Sequence, residues 1–427
     1  MKVDFNLPPE EALEYFRAKG LKKQFDWQDA IQREHTAAFM VAKMMDLDLL
    51  TDVRAAVDDA LAKGTTLRDF ERKLKPLLVD KGWWGKKEMA DPITDEIREV
   101  KLGSPRRLRT IFDANLSSAY AAGHWQKIKT NEAAAPYLLY NAVDDSRTRP
   151  LHRAWDGKVL RVNDPFWNTH YPPNGWRCRC SVIQLNDDDL REMGKDGPDP
   201  TPESTTYNWI NPRTGEIVPT PNGIDPGWAY NAGESHQAQL GKQFIEKVGT
   251  APADLAAATW RSSITTALAP VEAAFGEWVD DVFSGGVSMG RSAMAGVLVP
   301  DDLAYLRGRG IEPVNAGILV EDRLLVGKKA RRHETAGNAL TPEEWKSLPA
   351  ALAIPEAVVW DTANETLLYI FPVGAADKAG KLAIAVNTAT KKQGINNLAR
   401  SGFKAPVASL KAHIAKGDYE LVRGGLE

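Results

Sequence analysis

Four side chains that favour soft metal ions lie in the middle of the chain: His152, His170, Cys178 and Cys180. The protein has two cysteines in 427 residues, and both belong to one Cys-x-Cys motif. Two imidazoles and two thiolates match the ligand types of a tetrahedral zinc site. Zinc would also cross-link a segment that is too short to form a large core of its own. These four residues are therefore candidate ligands of a structural zinc ion.

The spacing of the cysteines leaves other interpretations open. Alternate residues of a strand point to opposite faces, so Cys178 and Cys180 converge only if a turn or bulge lies there. The pair could instead be small buried cysteines beside two hydrogen-bonded histidines. A Cys/His nucleophile has the least support, because the sequence shows no helix N-terminus or oxyanion device next to the cysteines.

A dense charged and aromatic cluster surrounds the predicted metal ligands. Its members are Asp144, Asp145, Arg147, Arg149, Trp155 and Trp176. Carboxylates and guanidinium groups in this pattern could act on a phosphate, but an Asx turn locked by Arg–Asp pairs is the simpler interpretation. The tryptophans are typical of packing or interface anchors.

The elements that must position these residues indicate an α+β protein of several domains. Ser104 and Pro105 begin a long helix, and apolar residues at helical spacing predict another helix from Trp27 to Met45. The runs YLLYNAV, KVLRV and RCRCSVIQL predict short strands. The predicted segments are a helical platform (1–135), a β-rich unit (136–186) on which the long helix 104–131 packs, an extended Pro/Gly-rich arm (187–230), a helical connector (231–289) and an α+β module (290–427).

Composition narrows the class of protein. Hydrophobic content of 43% and charged content of 26% are typical of a folded, soluble chain. The formal net charge of −3 argues against wrapping nucleic acid over the whole surface, although a basic segment lies at 328–332. Neither a secretion signal nor a membrane span is predicted, and two adjacent cysteines do not form a secreted disulfide framework. We expect a soluble protein or assembly subunit made in the cytoplasm.

The middle of the chain resembles the head morphogenesis domain of phage Mu F-like minor head proteins. The resemblance is carried by DDSRTRPLH, which ends at His152, and by DPFWNTHYPPNGWRCRC, which ends at Cys180. FDWQDAIQREHTAAFMVAKMMDLDLL, GHWQKI and LPAALAIPEAVVWD extend it over nearly the whole chain. It implies a minor capsid protein of a tailed phage or prophage, located in the virion at the head or portal vertex. The implied partners are portal protein and major capsid protein, with scaffold or packaged DNA as further candidates.

The C-terminal module resembles the barnase, colicin and RelE group of ribonucleases. That resemblance implies a general acid or base and a cation near the phosphate, and the candidates are Arg331, Arg332 and His333. The family pattern His-x-x-Arg-x-x-Lys falls on Gly327, Ala330 and His333, so the catalytic pattern is degenerate.

We therefore expect a head assembly protein that works mainly through protein contacts rather than as an enzyme. Two alternatives stay open at this stage. One is a virion-associated nuclease that uses the 290–427 module, and the other is a DNA-contacting packaging or ejection factor. The latter would show binding that falls steeply with salt.

Overall fold

The computed structural model describes residues 9–29, 34–390 and 394–426. The fold is α+β, as predicted, and the chain divides into two compact units, Met1–His236 and Gln237–Glu427. No helix in the described residues combines the length and the apolar character needed to cross a membrane.

The first unit contains helices and four small sheets. Its helices are α1 (Glu10–Ala18), α2 (Glu34–Ala37), α3 (Leu47–Lys63), α4 (Leu67–Asp80), α5 (Pro105–Thr130), α6 (Pro150–Trp155), α7 (Trp167–His170) and α8 (Asp187–Glu192), with a 3₁₀ turn at Trp27–Asp29. Its strands are β1 (Gly20–Leu21), β2 (Ala38–Phe39), β3 (Lys86–Ala90), β4 (Ile97–Lys101), β5 (Tyr137–Asn141), β6 (Val159–Arg161), β7 (Ser181–Leu185), β8 (Thr206–Ile210) and β9 (Ile217–Pro221). The strand pairs are β1–β2, β3–β4 and β8–β9, and the three-stranded sheet has the order β6-β5-β7.

The long helix α5 is the support on which the first unit is built. The Ser104 side chain accepts a hydrogen bond from the Arg107 N–H and caps the helix, and Pro105 occupies its first turn. Small residues then let α1 approach closely, since a Cβ on Gly123 would lie 2.8 Å from the Ala12 nitrogen. One face of α5 packs in a helical core with α1, α3 and α4, and Trp125 and Ile128 pack against the three-stranded sheet.

The predicted helix from Trp27 to Met45 is not what the structure contains. Its described residues form a 3₁₀ turn, the short helix α2, the strand β2 and a bend at Lys43, which has a φ of +63°; the Ile31 position lies outside the described residues. Phe39 pairs with Leu21, and the Lys43 N–H donates to the Gln24 carbonyl. Strand pairing and backbone hydrogen bonds to residues 20–25 therefore replace the helix that the apolar spacing predicted.

Residues 187–230 fold onto the first unit rather than extending from it. They contain α8 and the hairpin β8–β9, and Ile224 and Trp228 are buried in the same core as the three-stranded sheet. The Pro- and Gly-rich composition that predicted an arm instead supplies tight turns at this surface.

The second unit is built on one seven-stranded sheet. Its helices are α9 (Ala232–Thr250), which begins in the last residues of the first unit, α10 (Ala253–Gly285), α11 (Pro300–Gly308), α12 (Arg323–Val326), α13 (Lys328–Thr335), α14 (Pro342–Lys346), α15 (Leu348–Ala353) and α16 (Val407–Lys416). Its strands are β10 (Ser292–Val297), β11 (Gly317–Glu321), β12 (Ala357–Asp361), β13 (Thr366–Pro372), β14 (Lys378–Thr390), β15 (Gly394–Pro406) and β16 (Tyr419–Gly424), in the order β10-β11-β15-β14-β13-β12-β16. The apolar face of α10, which includes Trp260 and Phe275, contributes to its main core.

Candidate metal centre

His152 is held on the short helix α6 with one ring nitrogen already used. The side chain is 2% exposed, and its Nε2 lies 2.8 Å from the carbonyl oxygen of Gly223. A carbonyl only accepts, so Nε2–H donates this hydrogen bond, and Nδ1 is the ring nitrogen left free for a metal ion. This is the usual way in which a second contact fixes the tautomer of a metal-binding imidazole.

Cys178 and Cys180 both direct their sulfurs at that free nitrogen. The distances from His152 Nδ1 are 3.8 Å to Cys178 Sγ and 3.4 Å to Cys180 Sγ. The two cysteines precede β7 and lie in a turn, where Arg177 has a φ of +60° and the Cys178 N–H donates to the Gly175 carbonyl at 3.1 Å. The turn removes the alternation that would separate the sulfurs on a strand. The three ligand atoms lie within 4.8 Å of one another, so this His-Cys-Cys group could hold a metal ion.

The structure places His170 outside this group. Its Nδ1 lies 2.8 Å from Thr169 Oγ1, and its Nε2 lies 3.3 Å from Ser204 Oγ. The His170 ring stacks on Phe166, with ring centroids 4.2 Å apart, and packs edge-on against Trp155 at 5.0 Å. Trp155 also stacks on His152 at 5.3 Å, so it contacts both histidines. Burial lowers the pKa of His170 to about 4, so the imidazole is neutral. Of the four predicted ligands, three are together and His170 is a packed, hydrogen-bonded histidine.

The two thiols share a hydrogen bond that makes their acidities unequal. The pKa of Cys178 is lowered because its sulfur accepts the Cys180 hydrogen bond. The pKa of Cys180 is raised because that thiol donates to Cys178 and is partly buried. The lowered pKa of Cys178 favours its thiolate, which is the form of cysteine that binds metal ions.

Two ion pairs brace the loops that carry the cysteines. Asp145 accepts two hydrogen bonds from Arg179, at 2.8 and 2.7 Å. It also accepts two from the Arg147 guanidinium, at 3.0 and 3.3 Å, and one from the Arg147 backbone N–H at 2.9 Å. The Arg179 guanidinium holds the pKa of Asp145 well below its usual range. Asp144, in contrast, is exposed, and its carboxylate lies 4.0 Å from the Arg153 guanidinium. The ion pairs of Asp145 thus hold the Cys-x-Cys segment in position, because Arg179 lies between the two cysteines.

A second brace comes from a segment that sequence reasoning did not connect with the site. Arg149 donates to Asp225 at 2.6 Å, and the Trp176 N–H donates to the same carboxylate at 2.8 Å. Gly223, in the same segment, has a φ of +89°, and a Cβ there would lie 2.7 Å from the Trp155 ring. In the sequence, the one indication of this contact is the Pro-Asn-Gly run at 221–223, which is typical of a tight turn.

The His-Cys-Cys group faces an open cleft of about 710 Å³, which we call the arginine cleft. Its basic side chains are Arg109, Arg147, Arg149, Arg177 and Arg179. Three protein ligands next to an open volume leave a fourth coordination position accessible to water or to a partner group.

Comparisons with known proteins support one family. The model of the family described as "Phage Mu protein F like protein" matches residues 51–183. The chain is 33% identical to the "Putative capsid assembly protein F" of Escherichia phage Mu over 444 residues, covering 99% of this chain and 96% of that protein. The chain belongs to the phage Mu F-like family.

A second relative also belongs with Mu F-like proteins by its name, and the comparison with solved structures found no match. The "Mu-like prophage FluMu F protein" of Haemophilus influenzae (strain ATCC 51907 / DSM 11121 / KW20 / Rd) is 30% identical, over 94% of this chain and 99% of its own length. No solved structure matches the chain. The segment that the Mu F-like family model matches contains His152, Cys178 and Cys180, whereas Gly223 and Asp225 lie beyond it.

The C-terminal candidates lie on helix α13 and make contacts within the second unit. His333 Nδ1 is 3.0 Å from the Asn338 side-chain oxygen, and its ring stacks on Phe403 at 4.7 Å. Arg331 donates to the Val326 carbonyl at 3.3 Å, and Arg332 is exposed. At the position that the ribonuclease pattern gives to histidine, Gly327 is buried, and a Cβ would lie 2.3 Å from the Arg323 carbonyl oxygen. The nuclease-type module stays a prediction.

Proposed function

We propose that this chain is a capsid assembly protein of a Mu-like phage or prophage, located in the head or at the portal vertex. The observation that carries the proposal is the full-length similarity to a relative named a putative capsid assembly protein. In this proposal the chain works by contact with portal protein or major capsid protein, and contact with scaffold or packaged DNA is a further candidate.

We further propose that the His-Cys-Cys group binds a structural zinc ion. Zinc bonds of about 2.0–2.3 Å in a tetrahedral arrangement put ligand atoms roughly 3.5 Å apart. The distances of 3.4 and 3.8 Å from His152 Nδ1 to the two sulfurs agree with this spacing. Two sulfur ligands and one imidazole also favour zinc over magnesium or calcium, which prefer oxygen.

The zinc ion would connect α6 to the turn before β7, while the ion pairs of Asp145 and Asp225 hold the flanking loops. The β-rich unit would then present a rigid surface to its partner. His152, Cys178 and Cys180 would supply three ligands, and the fourth position would face the arginine cleft.

Two hairpin tips in the first unit support a role in protein contact. Ile210 and Ile217 face each other at the tip of β8–β9 and are 62% and 60% exposed. Ile97, on the β3–β4 hairpin, is 72% exposed. Arg213 joins the tips by binding Asp91 with two hydrogen bonds, at 2.5 and 3.0 Å. Exposed apolar side chains held together in this way are typical of interaction surfaces.

Electron microscopy of heads tests the assembly role. A phage or induced prophage that lacks this chain should yield few DNA-filled heads, and expression of the chain in trans should restore them. Normal yields of DNA-filled heads without the chain would contradict the proposal.

The hairpin tips are tested by incorporation into heads. The Ile210→Ser/Ile217→Ser double variant should be soluble and fold normally but should be depleted from purified heads. Leu255→Ser, which alters a 60% exposed residue on α10, is the matched control and should be incorporated normally. Equal incorporation of both variants would show that the tips are not the contact surface.

A further inference from the structure

A second cleft of the first unit, distinct from the His-Cys-Cys group, is strongly basic. It has a volume of about 760 Å³, within the size range of ligand pockets, and we call it the Lys19 cleft. Its basic side chains are Lys19, Lys43, Lys101, Arg106, Arg107 and Arg177, and among the described residues that line it the one acidic side chain is Asp26. Asp26 pairs with Lys43 at 2.8 Å. The other cations thus add positive charge that the lining of the cleft does not balance, in a chain whose net charge is −3.

Lys19 is the most unusual of these cations, because it is 6% exposed. Its ammonium nitrogen lies 4.6 Å from the centre of the Tyr15 ring, and no carboxylate is within ion-pair distance among the described residues. Burial lowers the pKa of Lys19 to about 7. A buried ammonium without a counter-charge is unfavourable, so an anion that enters the cleft would stabilise the charged form of Lys19.

Arg107 is a second desolvated cation of the same cleft. Its guanidinium donates to three backbone carbonyls: Lys101 at 2.7 Å, Leu102 at 3.0 Å, and Ala42. Burial lowers its pKa to about 10. These neutral acceptors fix the position of Arg107, and the carboxylate of Asp26, already paired with Lys43, is the acidic group that acts on its charge.

The cleft also contains an acceptor that lacks a donor. Gln24 is 5% exposed, and its side-chain oxygen accepts no hydrogen bond from the described residues. A buried amide oxygen in this state is less stable than one that accepts a hydrogen bond. The missing group is an N–H or O–H donor, which a peptide backbone carries and a phosphodiester backbone does not.

Apolar side chains also line the cleft. Val41, Ile111 and Trp228 line it and are 4%, 8% and 8% exposed. Trp27 is stacked with Trp209 at 6.0 Å, so that face is not free to stack a nucleobase. An occupant with apolar side chains therefore fits better than a single-stranded nucleic acid, which relies on open aromatic faces.

From these contacts we infer that the Lys19 cleft binds an acidic peptide segment of a partner protein, in which carboxylates alternate with apolar side chains. The carboxylates meet Lys19 and the arginines, a backbone N–H donates to Gln24, and the apolar side chains pack on Val41 and Ile111. Binding in this cleft requires neither zinc nor an assembled head.

The test uses the purified full-length chain and two matched probes. One probe is the acetylated, amidated peptide Asp-Leu-Asp-Leu-Asp, and the other is the same peptide with Asn in place of Asp. Calorimetry should detect binding of the Asp peptide at least tenfold tighter than that of the Asn peptide. A twelve-residue oligothymidylate is the third probe, and we expect it to bind more weakly than the Asp peptide.

Two variants locate the binding. Lys19→Met removes the buried amino group and keeps the side chain similar in length. It should weaken binding of the Asp peptide at least tenfold. Lys22→Met is the matched control, because Lys22 is exposed beside Glu34 and does not line the cleft; it should bind like the wild type. An independent readout in the wild-type chain is the rate at which Lys19 reacts with an amine-specific reagent, which the Asp peptide should lower at least fivefold.

Several results would overturn the inference. These are no binding of the Asp peptide, equal binding by Lys19→Met, no protection of Lys19 from the reagent, or tighter binding of the oligothymidylate. If Lys19→Met does not fold, the protection of Lys19 in the wild-type chain decides the question.

Discussion

At the scale of single residues, the tautomer of His152 connects the backbone to the metal group. The Gly223 carbonyl accepts a hydrogen bond from His152 Nε2–H, and this contact leaves Nδ1 facing both sulfurs. The residue types of this group and the two cysteines could be identified from the sequence. The exclusion of His170 could not, because it depends on Trp155 lying between the two histidines, a contact that spacing along the chain does not encode.

The distinction between the two histidines gives the first prediction. The wild-type chain should contain about one zinc per molecule, His152→Gln should lose it, and His170→Gln should keep it. A ligand present at one hundred times its dissociation constant stabilises a folded unit by about 2.7 kcal/mol. Chelation should therefore lower the Tm of the first unit by about 5–10 °C. Zinc content by mass spectrometry and Tm by calorimetry measure both effects.

Equal zinc content in His152→Gln and the wild type would mean that the group is not the metal site. An unchanged Tm in the presence of chelator would show that zinc has no structural role.

A second prediction concerns Gly223. Gly223→Ala should destabilise the first unit by about 1–3 kcal/mol, because the residue has a positive φ and its new Cβ would meet the Trp155 ring at 2.7 Å. It should also reduce zinc retention, since the His152 contact depends on this backbone. Gly215→Ala is the matched control: Gly215 has a φ of +73° and nothing within 4 Å of a built Cβ. Gly223→Ala should have a lower free energy of unfolding in urea and a lower zinc content than Gly215→Ala. Equal losses of stability and zinc in the two variants would mean that the effect comes from backbone strain alone.

At the scale of elements, the strands and the long helix were predictable, whereas the segment 187–230 was not. The three strands of the sheet follow apolar runs bounded by turn residues, and α5 follows a clear cap at Ser104. Composition in the later segment correctly signals turns, but it does not say whether a turn-rich segment extends or folds back. Buried contacts of Ile224 and Trp228 and the ion pair of Asp225 decide that it folds back.

The ion pair between the two hairpins gives a pH prediction. Arg213 lowers the pKa of Asp91 to about 2, below the value of about 3.9 in an unfolded chain. A carboxylate with a depressed folded pKa adds stability that is present above the unfolded pKa and is lost as pH falls through the folded pKa. The urea midpoint of the wild type should therefore fall more steeply between about pH 4 and 2 than that of Asp91→Asn.

Asp80→Asn, at an exposed position on α4, is the control and should keep the wild-type slope. Parallel curves for the wild type and Asp91→Asn would show that the Arg213 pair does not contribute to acid stability.

At the scale of the whole molecule, the sequence motifs and the full-length relatives point to the same family. The motif residues from Asp144 to Cys180 carry enough information to recognise it. The division into two compact units is a property of the folded contacts. The role of the second unit rests on a resemblance alone, because the described contacts of its candidate residues on α13 are packing and hydrogen bonds within the unit.

The most direct test of the account joins the metal group to assembly. In a phage or prophage that lacks this chain, DNA-filled heads are counted by electron microscopy after complementation with the wild type, His152→Gln or His170→Gln. The account predicts that the wild type and His170→Gln restore DNA-filled heads and that His152→Gln does not. Restoration by His152→Gln at the wild-type level would contradict it.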